Sequence, residues 1–557
     1  MKKPRLFIAA IIISIVIFSC HGVFSLYFLN DELLQMGAVQ KFGILTGYLH
    51  VKTLVSILLG NGRVLGALLN GLFFYFFKDS AIPFALFTIV IHTLNSYLAY
   101  LVAWKLTKNK NIAFITACVF SVPAAASQAF AWFGATTQTL GGMTFVLLAL
   151  LLGIQGINEK KQSLRLLAWL FAYIAFLFKE SSFFVFPLIL LLPYVIKTKV
   201  ETVYWRKFAV ITIIVLFFGI YKAFDYFGIP NVGSITPQTT TVVSKAVFQM
   251  GYFPLVSLGQ FFIPPEFMHR FAPTFAKFNY TFMVNTTADD LATKVIVADL
   301  VSITLSFIFL ILIMIIYLRK PNYRKEIMFI AGWYVISFAP MAVFTYQRGT
   351  SYIESRYLYY SYFPVAMMIG YIMNEIRIYL ELYVKRRSIT HVIIYALLAI
   401  FIYKQIQLIQ RSINENMAYG NDIKIAMSTI RNTYSTIPNK PIFYVEGDRK
   451  YFFDNNVLPF KLGSGYMLLL TFQNYPQISI DLIGENYLSK FFDQGYKEIG
   501  EKGFGYYWNK KDLFELFKAN KDLSVEQVIG IYYYGNDQRV RDITQEIRSE
   551  IILNQRY

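Results

Sequence analysis

Residues 81–120 read AIPFALFTIVIHTLNSYLAYLVAWKLTKNKNIAFITACVF. An apolar run, a short turn carrying Lys105, Lys108 and Lys110, and a second apolar run follow in direct succession. A bilayer core of about 30 Å takes about 20 apolar residues as a helix, so this stretch predicts two membrane crossings joined by a basic loop. The pattern recurs along the chain, at 6–28, 81–104, 112–127, 139–157, 164–178, 182–196, 208–228, 296–318, 326–345, 358–374 and 389–408. Two further apolar stretches, Val64–Phe77 and Ala246–Pro265, predict interfacial or re-entrant pieces. In the second, Gly251, Pro254, Gly259, Pro264 and Pro265 argue against a regular span.

Composition agrees. The chain is 56% hydrophobic and 15% charged, with mean hydropathy +0.47, whereas soluble domains carry about 25% charged residues. The expected fold is an all-α polytopic membrane protein of about eleven helices, residues 1–409. A small soluble α/β domain follows at 410–557. The net charge of +19 does not signal nucleic acid, because residues 410–557 carry 18 basic and 18 acidic side chains. The excess lies in the membrane part, where basic loops set orientation. Cys20 and Cys118 both fall inside apolar runs, so no disulfide framework or cysteine zinc site is expected in the soluble part. The start, MKKPRLFIAAIIISIVIFSCHG, reads as an uncleaved signal anchor.

Alternate loops are basic: KLTKNKN, NEKKQSLR, KTKVETVYWRK, RKPNYRK and EIRIYLELYVKRRS. Together with the N-terminus, that side holds 21 basic and 5 acidic residues of the membrane part, against 13 and 10 opposite. The positive-inside rule makes it cytoplasmic. An odd span count then puts the C-terminal domain outside a cell membrane. In that domain PIFYVE (441–446) predicts a strand, and Lys510–Ala519 and Val525–Gly530 predict helices.

The residue types fit for chemistry gather in the opposite set of loops. Asp31 and Glu32 follow the first span in YFLNDELLQ; they suit either an acidic helix start or a general base at the lipid–water boundary. Lys179-Glu180, in AFLFKESSFFVFPL, suits a solvated connector or a phosphate contact. Arg63 in NGRVLGALLN and Arg356 in IESRYLYYSYFP either snorkel or offer planar forks to phosphate. His92 and Asn95 sit within a span and read as helix–helix glue. Asp289-Asp290 reads as a helix start.

In order along residues 1–375, these short motifs resemble the GT-C glycosyltransferases, multispanning enzymes that use polyprenyl-phosphate sugars. The likeness is to the protein O-mannosyltransferase type, the transmembrane-and-TPR mannosyltransferases and their bacterial relatives. The resemblance places the family's acidic residue after the first span on Asp31, with Glu32 beside it, and its first-loop arginine on Arg63. Its H-x-x-N falls on His92 and Asn95, and its Pro followed by a Trp-containing segment on Pro123 and Trp132. Its K-E turn falls on Lys179, Glu180 and Pro187, and its late E-R-Y-L-Y string on Glu354, Arg356, Tyr357 and Tyr359. No TPR array follows.

The resemblance implies an inverting hexosyltransferase at the outer face, with a polyprenyl-phosphate sugar as donor and a protein, glycan or lipid hydroxyl as acceptor. Asp31 would be the base with Glu32 beside it. Arg63, Lys179 and Arg356 would bind the donor phosphate, supported by Glu180, Glu354 and His92. A metal-free carboxylate base and a divalent ion shared by Asp31 and Glu32 are alternatives. The competing expectation is a transporter or flippase for a lipid-linked saccharide. That reading predicts ionisable residues mid-span and matching halves; here the charged residues crowd at one face, and no matching halves are visible in the sequence.

Overall fold

The computed structural model describes residues 3–46, 63–196, 210, 237–263, 291–340, 355–384, 387–447, 464–472, 478, 482, 494–534, 537 and 539–555. A chain in lipid must pair its backbone polar groups internally, and the apolar part accordingly forms helices. Among the described residues, those of eight residues or more are α1 (Lys3–Cys20), α2 (Asn30–Thr46), α3 (Val64–Phe77), α4 (Ile82–Thr107), α5 (Lys110–Phe120), α6 (Phe133–Asn158), α7 (Gln162–Phe178), α8 (Val185–Val195), α9 (Pro237–Gln260), α10 (Leu291–Arg319), α11 (Arg324–Ile336), α12 (Tyr359–Tyr383) and α13 (Arg387–Thr433). Ten of the eleven expected apolar runs fall on these helices; the run 208–228 lies outside the described residues apart from residue 210. Among the described residues five helices are long and apolar enough to cross a membrane: α1, α4, α6, α10 and α13. Others, including α3, α5 and α7, are apolar but shorter, so the count of eleven remains an expectation. Large apolar side chains such as Phe307, Ile311 and Met314 on α10 and Val392 and Ile400 on α13 face outward, as lipid contact requires.

The prolines and glycines of 246–265 do not break the backbone before Gln260: α9 runs through Gly251, Pro254 and Gly259, and it is not among the described helices long and apolar enough to cross a membrane. Pro254 gives up one helical amide, and its carbonyl accepts from the Tyr334 hydroxyl at 2.6 Å. Gly259 serves packing: a Cβ there would lie 2.1 Å from the Ser302 carbonyl oxygen of α10. A small residue lets two membrane helices approach backbone to backbone. Pro264 and Pro265 lie outside the described residues.

Contacts sort the bundle into two ends. At one, Asn109 donates to Asn374 (3.5 Å), Lys320 pairs with Glu375 (3.0 Å), and Lys325 lies 4.7 Å over the Tyr194 ring. Three of the basic loops meet there. At the other, Gln410 of α13 donates to the Phe18 carbonyl (3.1 Å) and Ser412 to Ser127 (2.9 Å). Helix α13 thus starts at the basic end, reaches the opposite end near residue 410, and continues without a break through the expected 409/410 boundary to Thr433.

Among the described residues beyond α13 lie β1 (Ile442–Gly447), α14 (Ser464–Thr471), β2 (Gly495–Ile499), β3 (Lys502–Tyr507), α15 (Lys510–Ala519), β4 (Val528–Tyr534), β5 (Arg539–Asp542) and α16 (Thr544–Gln555). The five strands form one sheet in the order β2-β3-β1-β4-β5. β1 is parallel to β3 and β4, and the two outer pairs are antiparallel. Strand alternation divides β1: Ile442 and Tyr444 join a core with Leu513, Phe517, Ile547 and Ile551 of α15 and α16. Phe443 and Val445 face the other way, into a core continuous with the membrane helices. On that side Arg431 donates to the Thr471 carbonyl (3.3 Å) and α14 packs against α2 and α13. The strand expected at 441–446 and the helix at 510–519 are present. The helix expected at 525–530 is not: Val525–Gln527 is one 3-10 turn, and Val528 opens β4. The β-branched and aromatic run VIGIYYY favours a pleated surface.

Reporter fusions give the orientation. Fusions after Lys110, Lys161, Lys199, Arg324 and Arg387 are expected to report cytoplasm, and one at Asp454 the outside. A cytoplasmic signal at Asp454 would reverse the orientation.

Candidate active site

Helix α6 has an unusual beginning. Before it come Pro123, a 3-10 turn at Ala124–Ala126 and a turn at Gln128–Ala131, and Trp132 enters in an extended conformation without a side-chain cap. Its first amides therefore need outside acceptors. Glu32, 1% exposed, supplies one. Its Oε1 accepts from the Gly134 amide at 2.8 Å, and its Oε2 accepts from the Leu29 amide at 2.5 Å, just ahead of α2. A carboxylate placed at the starts of two helices is favoured by both dipoles. Asp31 lies in the first turn of α2, one residue before Glu32; its side chain lies outside the described set.

The next turn of α6 is TTQT, Thr136–Thr139, all four residues buried. Thr137 donates to Asn70, whose amide reaches Gln35 of α2 (3.1 Å) and the Gly134 carbonyl (3.3 Å). Gln138 accepts from Arg63 at 3.0 Å. Thr139 accepts from Lys179 at 2.7 Å. Arg63 stands in the left-handed region (φ 53°) as the residue before α3. Its guanidinium binds Glu180 as a fork, Nε to Oε2 at 2.8 Å and Nη2 to Oε1 at 2.6 Å. Such a bidentate pair fixes both groups.

Lys179 is 1% exposed and lies 4.7 Å over the Tyr357 ring. Arg356 lies 4.1 Å over the Trp132 ring and 5.0 Å over Tyr357. Positions 132, 134, 137, 138 and 139 of one helix start thus organise Arg356, Glu32, Asn70, Arg63 and Lys179. Of the expected site residues, Glu32, Arg63, Lys179, Glu180 and Arg356 come together here, at the end opposite the basic loops.

His92 is elsewhere. It is buried within α4, its Nδ1 2.8 Å from the Tyr359 hydroxyl and its Nε2 3.2 Å from the Ser121 carbonyl. Asn95 donates to the Leu140 carbonyl (3.0 Å) and accepts from Thr144 (2.7 Å). Both join helices, as intramembrane polar residues commonly do. Glu354, Arg348, Asp289 and Asp290 lie outside the described residues. Among the described residues no group of three His, Cys, Asp or Glu is placed to hold a metal ion.

Sequence reasoning overlooked Gln35, Asn70 and Thr139, and gave Gln138 no role in the site. The available signal was the polar TTQT string opening an otherwise apolar helix.

No family profile matches the chain, and no curated protein matches it. One solved structure is similar: the archaeal oligosaccharyltransferase AglB from Archaeoglobus fulgidus, in complex with an inhibitory peptide and a dolichol-phosphate. Identity is 12% and the TM-score 0.41, over 84% of this chain and 63% of that one. This chain thus spans under two thirds of that structure's length, and a likeness at this level assigns no activity.

Proposed function

We propose that the chain is a membrane-embedded glycosyltransferase that moves a hexose from a polyprenyl-phosphate donor to an acceptor hydroxyl at the outer face of a cell membrane. One observation supports it most: Lys179 and Arg356 converge, beside the Arg63–Glu180 pair, on the start of α6 next to α2, the helix that carries Asp31. Cations at the boundary of an apolar bundle suit an anionic lipid headgroup, and a neighbouring carboxylate suits a hydroxyl substrate.

In the proposed step, Asp31 takes the proton of the acceptor hydroxyl. The oxygen attacks the anomeric carbon on the face opposite the phosphate, and the bond from that carbon to the phosphate oxygen breaks. The lipid phosphate leaves with the bonding electron pair, and the configuration inverts. Arg356 and Lys179 stabilise the growing phosphate charge; Arg63, neutralised by Glu180, mainly shapes the wall. Glu32 holds α2 against α6 and so fixes where Asp31 stands.

The test is transfer from synthetic polyprenyl-phosphate sugars presented to purified protein in vesicles, read as release of lipid phosphate. Translocation of the lipid without sugar transfer would instead establish a flippase. Within this assay Arg356→Ala is expected to weaken donor binding more than Arg348→Ala, each lost charge-assisted contact costing about 1.5–3 kcal/mol. Equal and small effects would mean that Arg356 only snorkels.

A further inference from the structure

Lys179 and Arg356, the two cations proposed to act on the donor phosphate, share one aromatic side chain. The Lys179 ammonium lies 4.7 Å over the Tyr357 ring, and the Arg356 guanidinium lies 5.0 Å over the same ring. The Tyr357 hydroxyl also meets Arg63. Tyr357 directly follows Arg356, in the 3-10 turn Ser355–Leu358 that leads into α12. That turn is held from two sides. The Ser355 hydroxyl accepts from the Gln128 amide at 3.0 Å, and the Tyr359 hydroxyl lies 2.8 Å from His92 Nδ1. The three groups differ in depth. Lys179 is buried and donates to Thr139, whereas Arg356 and Tyr357 are half-buried. The ring thus joins a buried ammonium to a guanidinium that reaches the surface.

Two cations held this close repel each other, and a carboxylate is the common remedy. Glu180, next to Lys179 in the chain, has both oxygens on Arg63. A ring is a different kind of partner: its face attracts cations through the quadrupole but carries no charge. A carboxylate in its place would cancel the pair and compete with a phosphate for it, and a ring does neither. Cation–π contact uses the face of the guanidinium, whereas a phosphate fork uses its in-plane N–H donors. The two partners therefore do not compete for one edge.

Resting on the proposed function, we propose that Tyr357 is a positioning residue of the donor-phosphate site. Its ring gathers Lys179 and Arg356 so that both charges act on one lipid phosphate, the guanidinium by contact and the buried ammonium through its field.

The test measures binding of two probes to the full-length protein in detergent: a short-chain polyprenyl phosphate, and the polyprenol of the same length. The ratio of their affinities isolates the phosphate. Tyr357→Phe keeps the ring, loses only the hydroxyl, and is expected to leave the ratio within about twofold of wild type. Tyr357→Leu removes the ring and is expected to weaken the phosphate probe about tenfold, with the polyprenol unchanged. Trifluorophenylalanine placed at position 357 keeps the shape of Phe but draws electron density from the ring face. It is expected to fall between Phe and Leu, and it provides the test should Tyr357→Leu fail to fold. In an Arg356→Ala background the loss from Tyr357→Leu is expected to shrink to about threefold or less, because one of the two cations is gone. A role confined to packing would show neither the fluorine effect nor this coupling. Tyr357→Phe as damaging as Tyr357→Leu, equal ratios for Phe and its trifluoro analogue, or an undiminished loss in the Arg356→Ala background would each overturn the assignment while leaving the transferase reading intact. Equal binding of both probes by the wild-type protein would remove the donor-phosphate reading, and this inference with it.

Discussion

Asp31→Asn is expected to lower the rate of sugar transfer by about 10²–10⁴, the usual range for loss of a general base, with membrane insertion and donor binding retained. The substitution keeps size and most hydrogen bonding but removes the proton acceptor. Asp31 stands in the first turn of α2, next to Glu32, which is locked to the Gly134 amide of α6 and to the Leu29 amide just ahead of its own helix, so this end of α2 is held in place. Chelator added to the parent enzyme separates the two carboxylate mechanisms. A metal-free base is indifferent to it, whereas a shared ion on Asp31 and Glu32 is not. Near-full transfer by correctly inserted Asp31→Asn would sink the assignment and move attention to Asp289, since Glu180 is committed to Arg63.

Glu32→Gln is expected to act differently, chiefly on stability. The carboxylate accepts two backbone amides, one on each oxygen. A Gln side chain has one acceptor oxygen, and its NH2 group faces the second amide donor to donor. Losing one charge-assisted bond in a site 1% exposed costs about 1.5–3 kcal/mol. The measurement is the thermal midpoint in detergent beside the transfer rate per folded molecule. A lower midpoint with a rate per folded molecule far closer to wild type than that of Asp31→Asn marks Glu32 as a positioning residue. An unchanged midpoint with a collapsed rate would place it in the chemistry.

The membrane helices were legible in the sequence because burial in lipid leaves one periodicity-independent signal, apolar length, and the basic loops punctuate it. The sheet was less so. A six-residue window at 525–530 carries too little pattern to separate helix from strand, and only the continuing YYY of β4 decides it. Of the prolines weighed at 246–265 only Pro254 falls within α9, where its one missing helical bond is tolerated by the packed bundle. At the site, the charged residues were visible one by one. What sequence could not supply was their common organiser, since Glu32 meets Gly134 and Arg63 meets Gln138 across separations of 102 and 75 residues. Nor did an acidic pair after a span reveal that one member caps a distant helix. Polar residues opening an apolar helix are the cue to weigh more heavily.

Helix α13 is 47 residues long, about 70 Å at 1.5 Å per residue, and so more than twice the roughly 30 Å of a bilayer core. Its far half works as a shaft rather than a tether. Each residue inserted there turns everything downstream by about 100° and lifts it by 1.5 Å. The sheet and α14, seated against α2, would then be indexed away from the helix that carries Asp31. A flexible linker absorbs length changes silently, but this shaft converts them into rotation. Chain length between Ser412 and Arg431 is therefore constrained as a phase, and only insertions close to a whole number of turns would return α14 to face α2.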